Sequence, residues 1–249
     1  MLNREGTFSM NQARFSILAA VAVLATAGIA RADGAKPIRH LVYDVTVSIN
    51  GSLSQQDYSG TTTSSGGGNG DRGQIVVDVM ALQPDSGLVV NISEHTRGSR
   101  SADPAMCVTY GSGQIICESG KKINEEEYTL LRLLGKDFVN RAVMDSKNHW
   151  QFATNSSDMS ETNDYTINSE SNGVATIGLQ RDLKVHGPQG YDASTTGKVT
   201  YSEKMQVPLS DSEETETRAQ TGDSYNRVDQ SITLNLASDS MQQQTAQTH

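Results

Sequence analysis

The chain has 249 residues, of which 35% are hydrophobic and 5% aromatic, and its formal net charge is −9. It is long enough for one or two domains, too polar for a bundle of membrane helices, and too regularly patterned for wholesale disorder. The negative charge repels nucleic acid and anionic lipid heads, and the sequence offers no basic cluster beyond the pair Lys121-Lys122, so nucleic acid is excluded as a partner.

Residues 1–32 read as a secretory signal peptide. Arg4 and Arg14 lie in a polar leader, Phe15 to Ile29 forms an apolar run, and Ala30-Arg31-Ala32 places small residues at the cleavage positions. The run is shorter than the ~20 residues a spanning helix needs. No cysteine follows the cleavage site and no later segment is apolar for long enough to cross a bilayer, so the expected product is secreted or periplasmic. Removal of Arg4, Arg14, Arg31 and Glu5 leaves the remainder more acidic still.

The next segments alternate with a period of two. Leu41, Tyr43, Val45, Val47 and Ile49 share one face of a half-buried strand. The stretch from Ser52 to Arg72 is rich in Ser, Thr and Gly and reads as a long flexible loop. Gln74 to Leu82 is a central strand; after the Pro84–Gly87 turn, Leu88, Val90 and Ile92 belong to another.

Cys107 and Cys117 bracket a hairpin. A three-residue turn at Gly111-Ser112-Gly113 sets Val108 opposite Ile116 and Cys107 opposite Cys117, close enough for a disulfide. That bond forms in an oxidising compartment. The spacing is not C-x-x-C, and no histidine lies close enough to suggest zinc.

A helix is expected over 124–134. Asn124 caps it, Glu125 to Glu127 favour its positive end, and Leu130, Leu131 and Leu134 form the apolar stripe. Trp150 and Phe152 open the next strand. Tyr165 and Ile167 lead into a turn at Ser171-Asn172-Gly173. A three-residue loop there pairs Ile167 with Ile177 and Tyr165 with Leu179, keeping one apolar face, whereas a two-residue Asn-Gly loop would pair Ile167 with Gly178. Leu183 and Val185 continue that strand, Val199, Tyr201, Met205 and Val207 mark the next, and Ile232, Leu234 and Leu236 the last. Asp211 to Gln220 is nearly all polar and reads as a loop or a solvent-facing strand, with its carboxylates on a solvated face. The tail 238–249 is expected to be disordered.

The fold expected is mainly β: a single antiparallel sheet domain over 33–237, as an open half-barrel, sandwich or barrel, with one short helix packed on it. Motifs for chemistry are missing. His40, His95, His149, His186 and His249 have no metal-ligand spacing, no G-x-S-x-G elbow occurs, and neither a catalytic set nor a cofactor or metal is indicated. The layout is similar to that of periplasmic lipoprotein or lipid carriers with an open half-barrel, a likeness of architecture alone. It implies an apolar groove, for which Tyr43, Val45, Val90, Trp150, Phe152, Tyr201, Leu130, Leu131 and Leu134 are the candidate linings. The expected function is therefore that of an exported, non-catalytic binding or carrier domain for an apolar or lipid-like ligand or an envelope component. The alternatives are a secreted hydrolase with dispersed catalytic residues, or a structural component of the cell envelope or surface.

Overall fold

The structure is a computed structural model that describes residues 36–56, 62–83, 87–96, 104–135, 138–187, 190–221 and 224–241. Residues 1–32, expected above to be a signal peptide, lie outside the described residues. Eleven strands and one helix follow in the order β1 (Arg39–Gln56), β2 (Thr62–Leu82), β3 (Leu88–Thr96), β4 (Ala105–Thr109), β5 (Ile115–Cys117), α1 (Glu125–Leu134), β6 (His149–Asn155), β7 (Met159–Ser171), β8 (Val174–Val185), β9 (Tyr191–Ser202), β10 (Val207–Thr221) and β11 (Ser224–Asp239).

All eleven strands belong to one antiparallel sheet, ordered β5-β4-β3-β2-β1-β11-β10-β9-β8-β7-β6, which does not close into a barrel. Two meanders run outward from the centre. The first leads from β1 to the edge strand β5, and the second returns from the opposite edge, β6, to β11, which pairs with β1. Helix α1 is the bridge between the two edges.

The period-two pattern explains which face is buried. Leu41, Tyr43, Val45 and Val47 of β1 point the same way as Ile75, Val77 and Val79 of β2, Val90 and Ile92 of β3, and Ile232 and Leu234 of β11; all are buried. Leu130, Leu131 and Leu134 of α1 complete this cluster. A second cluster, on the β6–β9 side, contains Trp150, Tyr165, Ile177, Val199, Tyr201 and Phe138, and Leu133 of α1 reaches into it. The helix is thus inserted between two apolar patches of the same sheet face.

Local chemistry sets the helix ends and the turns. The Asn124 side chain accepts from the Glu127 amide at 2.7 Å while the Glu127 carboxylate accepts from the Asn124 amide at 3.0 Å, a complete capping box. Cys107 and Cys117 are paired in register and joined by a disulfide, and Val108 faces Ile116. Ile167 faces Ile177 and Tyr165 faces Leu179 as expected, but by a different route. The loop is the two-residue Asn172-Gly173 turn, with φ of 53° and 74°. A bulge between Ile167 and Ser169 restores the apolar register that this tight turn alone would have shifted.

Four expectations are corrected. The segment 52–72, read as a flexible loop, lies largely in β1 and β2, whose ladder runs from Arg39 opposite Val79 to Gln56 opposite Thr62. Residues 52–56 and 62–72 of these strands are held by main-chain pairing and carry no apolar face, so composition gave no sign of them; residues 57–61 lie outside the described residues. Of the two readings of the polar stretch Asp211 to Gln220 the strand holds, within β10 and paired with β11 throughout and with β9 as far as Ala219, but it is not solvent-facing on both sides. Its carboxylates are not all solvated, because Asp211 and Glu213 are 1% and 2% exposed. Met205 lies in the turn between β9 and β10, not in a strand. Finally, the expected tail begins inside β11: Asp239 faces Leu41 and receives Arg39 in a bidentate pair at 3.1 and 2.6 Å, and only residues 242–249 fall outside the description.

Candidate functional site

The residues with the greatest chemical content lie between α1 and strands β7 to β10. Inward positions of those strands, which elsewhere carry Leu, Ile or Val, here carry Glu161 and Asn163 (β7), Arg181 (β8), Thr195 (β9), and Asp211, Glu213 and Thr215 (β10); all are buried. Helix α1 adds Glu125, Tyr128 and Arg132.

Arg132 is the centre of the cluster. Its guanidinium is fully buried; it donates to Asn163 Oδ1 at 2.9 Å and pairs with Glu213 through a short ionic hydrogen bond. Gly197 is opposite Glu213 in the ladder, and a Cβ there would come within 2.9 Å of the Glu213 side chain, so the glycine makes room for this carboxylate. Arg181 forms the second ionic node. It donates from Nε to Glu161 at 2.6 Å and from Nη1 to Glu125 at 2.6 Å, so α1 and the sheet share one guanidinium. Tyr128 Oη donates to the Glu161 carboxylate at 2.9 Å, and its ring lies 4.9 Å from the Arg181 guanidinium carbon.

Burial and charge shift these groups in opposite directions. Burial alone would raise Glu161, but the guanidinium groups of Arg181 and Arg132 outweigh it and hold its carboxyl below the usual range. Asp211 is raised well above the carboxylate range, by burial first and then by the charge of Glu213. Its polar neighbours include the Glu213 carboxyl group and the Ser212 backbone. Tyr165 is pushed up to about 12 by burial, and its hydroxyl has no hydrogen-bond partner among the described residues. Glu126 and Glu127 at the start of α1 are each pushed up to about 7, mainly by burial, with the nearby Glu94 adding to it.

The candidate groove linings occupy the two apolar clusters. Tyr43, Val45, Val90, Leu130, Leu131 and Leu134 pack in the first, and Trp150 and Tyr201 in the second, where Phe152 is half-buried. The sheet brings them onto one face, and α1 with Phe138 fills the space above them; Phe138 lies 5.0 Å from Tyr165 and 5.3 Å from Tyr201, ring to ring. Open space exists on the opposite face. A groove of about 1030 Å³ crosses β7 to β11 and β1 and is lined by polar side chains, among them Ser194, Thr196, Glu214, Glu216, Asp229 and Ser231. Its charges neutralise one another in part, with Arg227 paired to Glu216 at 2.9 Å and to Asp229 at 3.0 Å.

The histidines are dispersed. His40 pairs with Asp78 at 2.7 Å and His149 with Asp164 at 3.0 Å, while His95 meets Ser93 at 3.4 Å. Among the described residues, no serine or threonine hydroxyl joins an imidazole that also holds a carboxylate. No group of three or more His, Cys, Asp or Glu side chains among them is arranged to hold a metal ion.

Motif reading missed the ionic cluster, although a signal was present. Arg181 alternates with Leu179 and Leu183, and Glu161 and Asn163 continue the parity of Tyr165 and Ile167. A charged residue in phase with a buried stripe marks an inward charge, and two in-phase positions of opposite sign mark a pair. The described residues also contain no helix long and apolar enough to cross a membrane. No protein-family profile matches the chain, and no curated protein matches it in sequence.

Proposed function

We propose that the chain is an exported, non-catalytic binding or carrier protein whose apolar ligand occupies the trough now filled by α1. The observation that carries this reading is the cover itself. The apolar face of an unclosed sheet is covered by a helix of 10 residues that reaches the β7–β10 side through charged side chains, with Leu133 its apolar contact there. Buried ion pairs add little net stability, because desolvation offsets their attraction. The leucines of α1 contribute about 1.5–3 kcal/mol each by burial, and an apolar ligand taking their place would supply the same kind of burial. Such a cover is displaceable in a way that a fully apolar core layer is not.

Export is supported by the signal-peptide pattern of residues 1–32 and by the Cys107–Cys117 disulfide, which persists in an oxidising compartment. The test is a titration with N-phenyl-1-naphthylamine, whose fluorescence rises in apolar surroundings, combined with amide hydrogen exchange along α1. The expected result is saturable binding, with exchange accelerating at the α1 amides. Absence of saturable binding, with α1 protection unchanged, would refute the carrier reading.

A further inference from the structure

We propose that the ligand of the α1 trough is a cationic amphiphile, an amine or guanidinium attached to an apolar body. The inference rests on the carrier reading and names its ligand class. It follows from asking which charges leave the trough with α1 and which stay.

The first turn of α1 is acidic, but its segment Leu130–Leu134 has the composition of such a ligand. Leu130, Leu131, Leu133 and Leu134 are buried apolar mass, and Arg132 is a fully buried cation among them. The charges left behind belong to the sheet. Arg181 loses Glu125 but keeps Glu161 at 2.6 Å, so that node remains balanced. Glu213 loses its guanidinium entirely, and the Asn163 side-chain oxygen loses the donor it meets at 2.9 Å. One inward position along β10, Asp211 adds a second buried carboxyl group beside Glu213. On the sheet side, the carboxylates of Glu161 and Glu213 then face one base, Arg181, with the raised carboxyl group of Asp211 beside Glu213. The uncovered trough is an apolar surface with a surplus of hydrogen-bond acceptors and negative charge at its middle.

The three kinds of ligand head group differ sharply in such a site. A neutral head leaves the Glu213 carboxylate buried without a counter-ion, which is strongly unfavourable. An anionic head adds a second negative charge beside it. A cationic head restores what Arg132 provides: a charge-assisted hydrogen bond to Glu213, with Asn163 and Asp211 available for its remaining donors. In the covered state, Arg132 is therefore an internal competitor for the ligand's own site.

The experiment compares dodecylamine, dodecanol and dodecanoate as displacers of bound N-phenyl-1-naphthylamine at neutral pH, each below its micelle-forming concentration. The amine is expected to bind about tenfold or more tightly than the alcohol, with the carboxylate weakest. Glu213→Gln should bring the amine down to the affinity of the alcohol, and Arg132→Met is the second variant. It leaves the Glu213 site without its internal cation, so the amine should bind more tightly than to the wild-type chain and should raise the melting temperature of Arg132→Met more than that of the wild type. Equal affinities for the three displacers would overturn the cationic preference and leave the carrier reading standing. No binding of any of them would remove both.

Discussion

The two sides of α1 are built on different physics. Toward β1–β4, Leu130, Leu131 and Leu134 meet Val45, Val77, Val90 and Ile92, and the Thr109 hydroxyl donates to the Leu131 carbonyl at 2.6 Å. Toward β7–β10, the helix presents Glu125, Tyr128 and Arg132 to Glu161, Arg181, Asn163 and Glu213. The apolar part of the first contact is non-directional and indifferent to pH; its strength follows the area removed from water. The second fixes where the helix sits, because a guanidinium pairs well only in a narrow geometry, yet its net contribution is small. One side holds the helix, and the other chooses its position and can be exchanged.

The largest expected effect comes from breaking the directional side. Arg132→Ala leaves Glu213 buried without a counter-charge and should destabilise the fold by about 3–5 kcal/mol in urea denaturation at neutral pH. The double variant Arg132→Met with Glu213→Leu removes both charges and should come close to wild-type stability or exceed it. A double variant as unstable as Arg132→Ala would mean that the pair itself, not the stranded charge, is what matters.

Leu131→Ala tests the other side and should cost about 2–4 kcal/mol through lost burial and the cavity left behind. The two single losses should also differ in their response to acid. That of Arg132→Ala should shrink in acid, because the loss is one of charge, whereas that of Leu131→Ala should stay level across the same range. Parallel pH profiles for the two variants would erase the distinction between the sides.

The same division decided what could be read in the sequence. Segments that alternate apolar with polar residues were legible, including Leu41 to Ile49, the Cys107–Cys117 hairpin and the helix capped by Asn124. The pairing of Ile167 with Ile177 was legible too, because only that register keeps one face apolar; the bulge that achieves it was not, since turn length and bulge compensate invisibly. Gly66 to Gly70 and Arg218 to Gln220 form strands without an apolar face, so their composition resembled a loop. The ionic cluster stayed hidden because its partners are far apart in the chain: Arg132 and Glu213 lie 81 residues apart. Parity shows that each points inward, but only the fold shows which meets which.

The smallest expected effect concerns the first turn of α1, where the two kinds of contact meet. Glu126 and Glu127 are pushed up to about 7, by burial above all, while backbone N–H groups pull the other way and the Glu94 carboxylate adds to the rise. A carboxyl group with a folded pKa above its ordinary value of 4.5 binds its proton more tightly in the folded chain than in the unfolded one. Over the window from about 4.5 to about 7, these two residues therefore add stability as pH falls and remove it as pH rises. Glu161 has the opposite sense: its lowered pKa stabilises the fold above the ordinary carboxylate range, and that contribution is lost as pH falls through its folded value. The melting temperature should accordingly be higher near pH 5 than near pH 8 and should fall again in stronger acid. Glu94→Gln isolates the first of these effects. It keeps a side-chain oxygen to accept from Asn124 while removing the negative charge that faces Glu126 and Glu127. The variant should gain on the wild type at pH 8, where both helix acids are ionised, and the gain should vanish near pH 5, where both are neutral. A gain of equal size at the two pH values would show that Glu94 acts through packing rather than through charge.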